Sequence, residues 1–141
     1  MRFWDTSALF AVVVAESETP RVRRWIAEDS GVVVWALTRV ELLSALSRRR
    51  REFPRAADRF LRARREFIDA WERWAEISAV DLVRGHAERV VERHPLRAAD
   101  ALHIGAALVA CDGDPAALDF VTLDEAQAAA AEREGFRVLG P

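Results

Sequence analysis

Four acidic residues, Asp5, Glu41, Asp100 and Asp124, each fall where the local pattern ends a strand or begins a helix. In an α/β chain such places share one edge of the sheet, so acids far apart in sequence can meet in space. Carboxylates gathered there have one common use, which is to hold divalent cations against a phosphodiester. Two carboxylates at about 4 Å repel by about 4 kcal/mol at an effective dielectric of about 20. Four converging groups therefore need a cation, or some of them must bind protons. With no Cys ligand set and no paired His, hard oxygen donors favour Mg²⁺ or Mn²⁺ over zinc.

The rest of the composition removes competing chemistries. The basic residues are all arginine, and the chain contains no Lys, Asn or Tyr. That excludes a phosphate-loop lysine, a Schiff-base lysine and a lysine general base. A phosphatase that opens on a strand ending in Asp needs a second acid two residues later, but Ser7 stands there. A phospho-accepting receiver domain likewise lacks its lysine. Cys111 is the lone cysteine, so no disulfide framework exists, and its apolar helical setting predicts a small buried hydrophobe.

The elements that must position the acids follow from patterning. Met1–Trp4 reads as a strand ending at Asp5, after which Thr6 or Ser7 can cap a helix through Ala8–Ala15. Pro20–Glu28 is a helix, Val32–Trp35 a β-branched second strand, and Thr38-Arg-Val-Glu41 has the spacing of a capping box. Pro54 opens the longest helix, whose apolar positions Phe60, Phe67, Ile68, Trp71 and Trp74 keep helical spacing. Ile77–Val80 is a third strand, Asp81–Glu92 a helix, and a further helix runs from Arg97 to Ala110. Strand Phe120–Leu123, helix Asp124–Arg133 and strand Phe136–Leu139 close the chain, with Gly135 ending the last helix. Strands alternating with helices imply one α/β domain, residues 1–141, around a mostly parallel sheet.

Each acid also has an ordinary explanation, because the first turn of a helix favours Asp and Glu. Glu41 could complete a capping box with Thr38, Asp124 could cap its helix, and Asp100 lies in a first turn. Order and spacing argue for more. WDTSAL, TRVELLSAL, PLRAADALHIGAAL and FVTLDEAQAAAA, in that order over nearly the whole chain, resemble the four motifs of PIN-domain ribonucleases. They are similar to those of the VapC toxins of bacterial VapBC toxin–antitoxin systems.

That resemblance implies a three-layer α/β/α fold and an endoribonuclease dependent on Mg²⁺ or Mn²⁺. It matches Asp5, Glu41, Asp100 and Asp124 to the metal-binding acids, and Thr6 and Thr122 to the accompanying hydroxyls. It also implies a homodimer neutralised by a cognate VapB-type antitoxin. Asp119 is a second acid at the fourth strand; Asp124 is preferred because Thr122-Leu-Asp124 fits the motif at the outgoing end of the strand. A catalytically silent PIN-like module that binds RNA or protein is the competing reading.

Arg48–Arg65 carries nine arginines against Glu52 and Asp58, a local charge of +7 in a chain of net charge −2. Such a segment can follow an RNA backbone, receive an acidic antitoxin tail or form a solvated face. Trp71 and Trp74 are assigned to the core or a dimer seam, Trp4 and Trp35 to the core, and His103 to a supporting role near Asp100. His86 and His94 show no ligand spacing. Asp5 interrupts the apolar N-terminus and no run approaches a membrane span, so a cytoplasmic protein is expected.

Overall fold

The structure is a computed structural model that describes residues 1–141. Strands β1 (Arg2–Trp4), β2 (Val32–Trp35), β3 (Ala75–Ile77), β4 (Asp119–Val121) and β5 (Val138–Leu139) form one sheet, in the order β3-β2-β1-β4-β5. Every strand pairing is parallel. Seven helices surround it: α1 (Thr6–Val13), α2 (Thr19–Glu28), α3 (Thr38–Glu52), α4 (Ala57–Trp71), α5 (Val80–Arg93), α6 (Ala98–Ala110) and α7 (Glu125–Arg133). None is long and apolar enough to cross a membrane.

A parallel sheet with helices on both faces must bury both sets of side chains. In β1, Phe3 joins a core of residues from α5, α6 and α7, while Trp4 joins one from α1 to α4. Val33 and Val34 of β2 divide in the same way, and β2 is buried throughout. The result is the expected three-layer α/β/α arrangement. Trp4 and Trp35 are core residues. Trp71 packs edge-on against Phe67 and donates its indole N–H to Glu76 at 2.9 Å.

Several boundaries differ from those expected. Asp5, not Thr6 or Ser7, caps α1, because β1 runs into the helix without a linker and the last extended residue becomes the cap. That helix ends at Val13 rather than Ala15. The third strand is Ala75–Ile77, two residues before the expected start, and the fourth ends at Val121. Pro54–Ala56 forms a separate 3₁₀ turn ahead of α4. Cys111 terminates α6 and is only half-buried. Gly135, at φ +100°, ends α7, with the Phe136 N–H bonded back to the Ala131 carbonyl.

Helices α5 and α6 pack closely enough to require Gly105. A Cβ there would stand 2.7 Å from the Val83 carbonyl oxygen and 3.1 Å from the Ala87 nitrogen. The strand order turns between β1 and β4: from β1 the chain builds outward to β2 and β3, and β4 and β5 lie on the other side. A crevice opens at such a reversal, outside the carboxyl ends of the strands.

Candidate functional site

The four acids reach that crevice from four different elements. Asp5 directly follows β1, Glu41 lies in the first turn of α3 after β2, Asp100 in the first turn of α6, and Asp124 caps α7 after β4. All four line one cleft of about 440 Å³ together with Thr6, Ser7 and His103. Arg48 and Arg49 of α3 contribute to the same wall.

Asp5 is 5 % exposed and tightly held. Its Oδ1 accepts the Ala8 N–H at 3.0 Å, and the Ser7 hydroxyl donates to its carboxylate at 2.8 Å. The same Ser7 oxygen accepts the Leu123 N–H at 2.8 Å, tying the end of β1 to the chain after β4. Burial pushes the Asp5 carboxyl above the ordinary range, against the opposing pull of His103 and these hydrogen bonds.

Glu41 does not complete a capping box. Leu37 is the N-cap of α3 in a helical conformation, and the buried Thr38 hydroxyl makes no hydrogen bond. The Glu41 carboxylate instead crosses the cleft, where its Oε2 meets the Thr6 hydroxyl and lies 2.8 Å from His103 Nε2. Burial pushes this carboxyl up, but His103 and Thr6 together outweigh it and leave it below its ordinary value.

Asp100 stands differently. Burial raises its carboxyl, the Asp124 charge raises it further, and Glu41 adds a smaller push. Asp124 accepts the Gln127 N–H at 2.7 Å, so its capping role is real and compatible with facing the cleft. Asp119 lies at the opposite end of β4, gripped by the Arg137 guanidinium, with Arg2 at 3.4 Å. The Arg137 hydrogen bonds hold its carboxyl below the ordinary range. Asp119 is absent from the cleft lining.

Gln127 was not singled out by its sequence context, although it is the chain's only glutamine, in an alanine-rich helix. It is fully buried. Its Oε1 accepts the Thr122 hydroxyl at 2.9 Å and its Nε2 donates to the Asp100 carbonyl at 3.3 Å. Thr122 in turn accepts the Asp124 N–H at 3.0 Å. One side chain thus connects the segments that carry Asp100 and Asp124. His86 and His94 lie elsewhere: His86 contacts Arg89, and His94 contacts Glu134 at 2.7 Å.

The donor set suits a hard divalent cation: four carboxylates share one cleft, and burial together with the Asp124 charge keeps Asp100 raised against the opposing pull of His103 and Arg97. As the side chains stand, however, no group of three or more acids, His or Cys is disposed to hold one ion. Glu41 is turned towards Thr6 and His103, and Asp124 towards its helix.

Comparison with known proteins gives a match to the PIN domain family over residues 2–133, from β1 to the end of α7. No curated protein matches the chain.

Proposed function

We propose that this chain, which belongs to the PIN-domain family, hydrolyses RNA phosphodiester bonds with Mg²⁺ or Mn²⁺ held by Asp5, Glu41, Asp100 and Asp124. PIN domains are generally nucleases. The observation that carries the reading is the meeting of four acids from four elements in one cleft at the sheet's turning point.

When bound there, a divalent cation would polarise a phosphate oxygen and ease deprotonation of a water molecule. Asp5, fixed by Ala8 and Ser7, is the rigid ligand of the set. Glu41 presents its second oxygen while Thr6 and His103 occupy the first. Asp100, which lines the cleft from the first turn of α6, is placed to accept a proton from a water molecule there. Arg48 and Arg49 on the same wall orient the substrate's phosphates.

Within this reading the chain is the toxin of a VapBC pair, a homodimer restrained by a VapB-type antitoxin. Four ordered motifs similar to those of VapC toxins support it. Exposed Leu37 before α3, Val40 on α3, and Val80 and Leu82 on α5 offer apolar surface suited to a second copy. A solution mass twice 15.9 kDa, reduced by Val40→Asp, is the expected result.

The direct test is cleavage of total RNA with Mn²⁺, with and without EDTA, by the parent protein and by Asp100→Asn. Cleavage should vanish with EDTA and fall by at least about 100-fold in the variant. Undiminished cleavage by Asp100→Asn sinks the mechanism. A second reading, a silent PIN-like binding module, draws on Glu41 being engaged by Thr6 and His103 and Asp124 by its own helix. It predicts RNA or protein binding with no cleavage in any metal.

A further inference from the structure

A second concavity of about 240 Å³ opens beside the acid cleft and shares Glu16 and Arg49 with it. Its other walls include Phe53, Arg59 and Phe60, and Phe53 at the end of α3 is 50 % exposed. An exposed phenylalanine there has a structural alternative, since it also leads into the 3₁₀ turn at Pro54. The surrounding charge argues for more. Arg49 and Arg59 line the same concavity, their guanidinium groups over the Phe10 and Phe60 rings, within a segment of charge +7.

We propose that this concavity holds a nucleotide of single-stranded RNA flanking the phosphodiester in the acid cleft, with its base stacked on Phe53 and its phosphates met by Arg49 and Arg59. The proposal rests on the nuclease reading for the choice of RNA over an acidic peptide. Continuity with the cleft then sets the path, because a strand crossing the four acids runs on along the shared Arg49–Glu16 wall. An exposed aromatic ring in a concavity lined by two guanidinium groups suits an unpaired base, whose π-surface is free, and not a base within a duplex.

Both arginines are already engaged. Arg49 pairs with Glu16 at 3.1 Å, and Arg59 donates to the Ala15 carbonyl at 2.6 Å. Glu16 therefore competes with the incoming phosphate for Arg49. Removing its charge strengthens RNA binding, an effect that damage to the fold would not produce.

The experiment is fluorescence anisotropy with a labelled oligouridylate in EDTA, so that binding is read without cleavage, alongside Mn²⁺-dependent cleavage of the same probe. Phe53→Ala should weaken binding about 10-fold, Phe53→Trp should retain it, and Glu16→Gln should tighten it a few-fold. A duplex of the same length should bind more weakly than the single strand. Unchanged binding in Phe53→Ala, as expected of a groove reserved for a partner protein, overturns the proposal, as does a duplex that binds equally well. Absence of cleavage with the binding pattern intact would overturn the nuclease reading and leave the groove assignment standing.

Discussion

His103 Nε2 on α6 lies 2.8 Å from Glu41 Oε2 on α3, a contact that joins two helices from opposite faces of the sheet. His103 is 2 % exposed, its ring meets Phe3 edge-on, and its Nδ1 has no partner. The imidazole therefore has one polar engagement besides the nearby Thr6 hydroxyl, and that engagement aims Glu41. Replacing His103 with Ala should weaken Mn²⁺ binding about 10- to 100-fold, while His103→Gln should recover part of it. Titration calorimetry reads this directly, and equal affinity in all three proteins would remove His103 from the site.

Burial of the cleft carboxylates, with repulsion added at Asp100, should register as stability. Asp100 has a raised carboxyl, so its charged form opposes folding above that raised value, and the penalty fades as pH falls through it. Asp100→Asn should melt higher than the parent in EDTA at neutral pH, by about 2–4 °C for each kcal/mol relieved. Asp5→Asn should act in the same direction, because the amide oxygen can still accept the Ala8 N–H. If both variants melt lower without metal, the acids serve as structural caps.

Gln127 should be among the costlier positions in α7. Truncation to Ala removes the acceptor of the Thr122 hydroxyl proton and the donor to the Asp100 carbonyl, at about 1–3 kcal/mol in all. Gln127→Glu places a buried carboxylate beside a carbonyl, so it should be less stable at neutral pH than near pH 4. Thermal melts at the two pH values check this, and a parental Tm for Gln127→Ala would refute the linking role.

Asp119 separates function from stability. Its carboxyl is held low by Arg137, so the stability it contributes is complete above about pH 4, the unfolded value, and is lost as pH falls further. Asp119→Asn should therefore lose that contribution at neutral pH and show a shallower decline below about pH 4. Cleavage should stay within about two-fold of the parent, whereas Asp124→Asn should lose at least about 100-fold. The reverse pattern would move the fourth ligand to Asp119.

How much of this is legible in the chain depends on the range of each signal. The β-branched run Val32–Trp35 and the helical spacing from Phe60 to Trp71 are local, and the structure places a strand and a helix there. The third strand is shifted because Ala75–Ile77 is largely exposed and lies at the sheet edge, so burial imposes little pattern on it. The capping expected of Thr38 and Glu41 fails for a different reason. A box needs an extended N-cap, and the carboxylate's actual partners are 35 and 62 positions away. Gln127 carries no local signal, because a buried amide in a run of alanines acquires meaning only from Thr122 and Asp100 folded against it.

Gly105 bears on how such a chain can vary. It stands two residues after His103 and five after Asp100 on the same helix, and any side chain added there meets the Val83 carbonyl. A single substitution would wedge α6 away from α5 and carry both cleft residues with it. Because the obstacle is α5 backbone, no side-chain change on α5 makes room for it. A library that varies both helices would still return glycine here, however tolerant the surrounding surface.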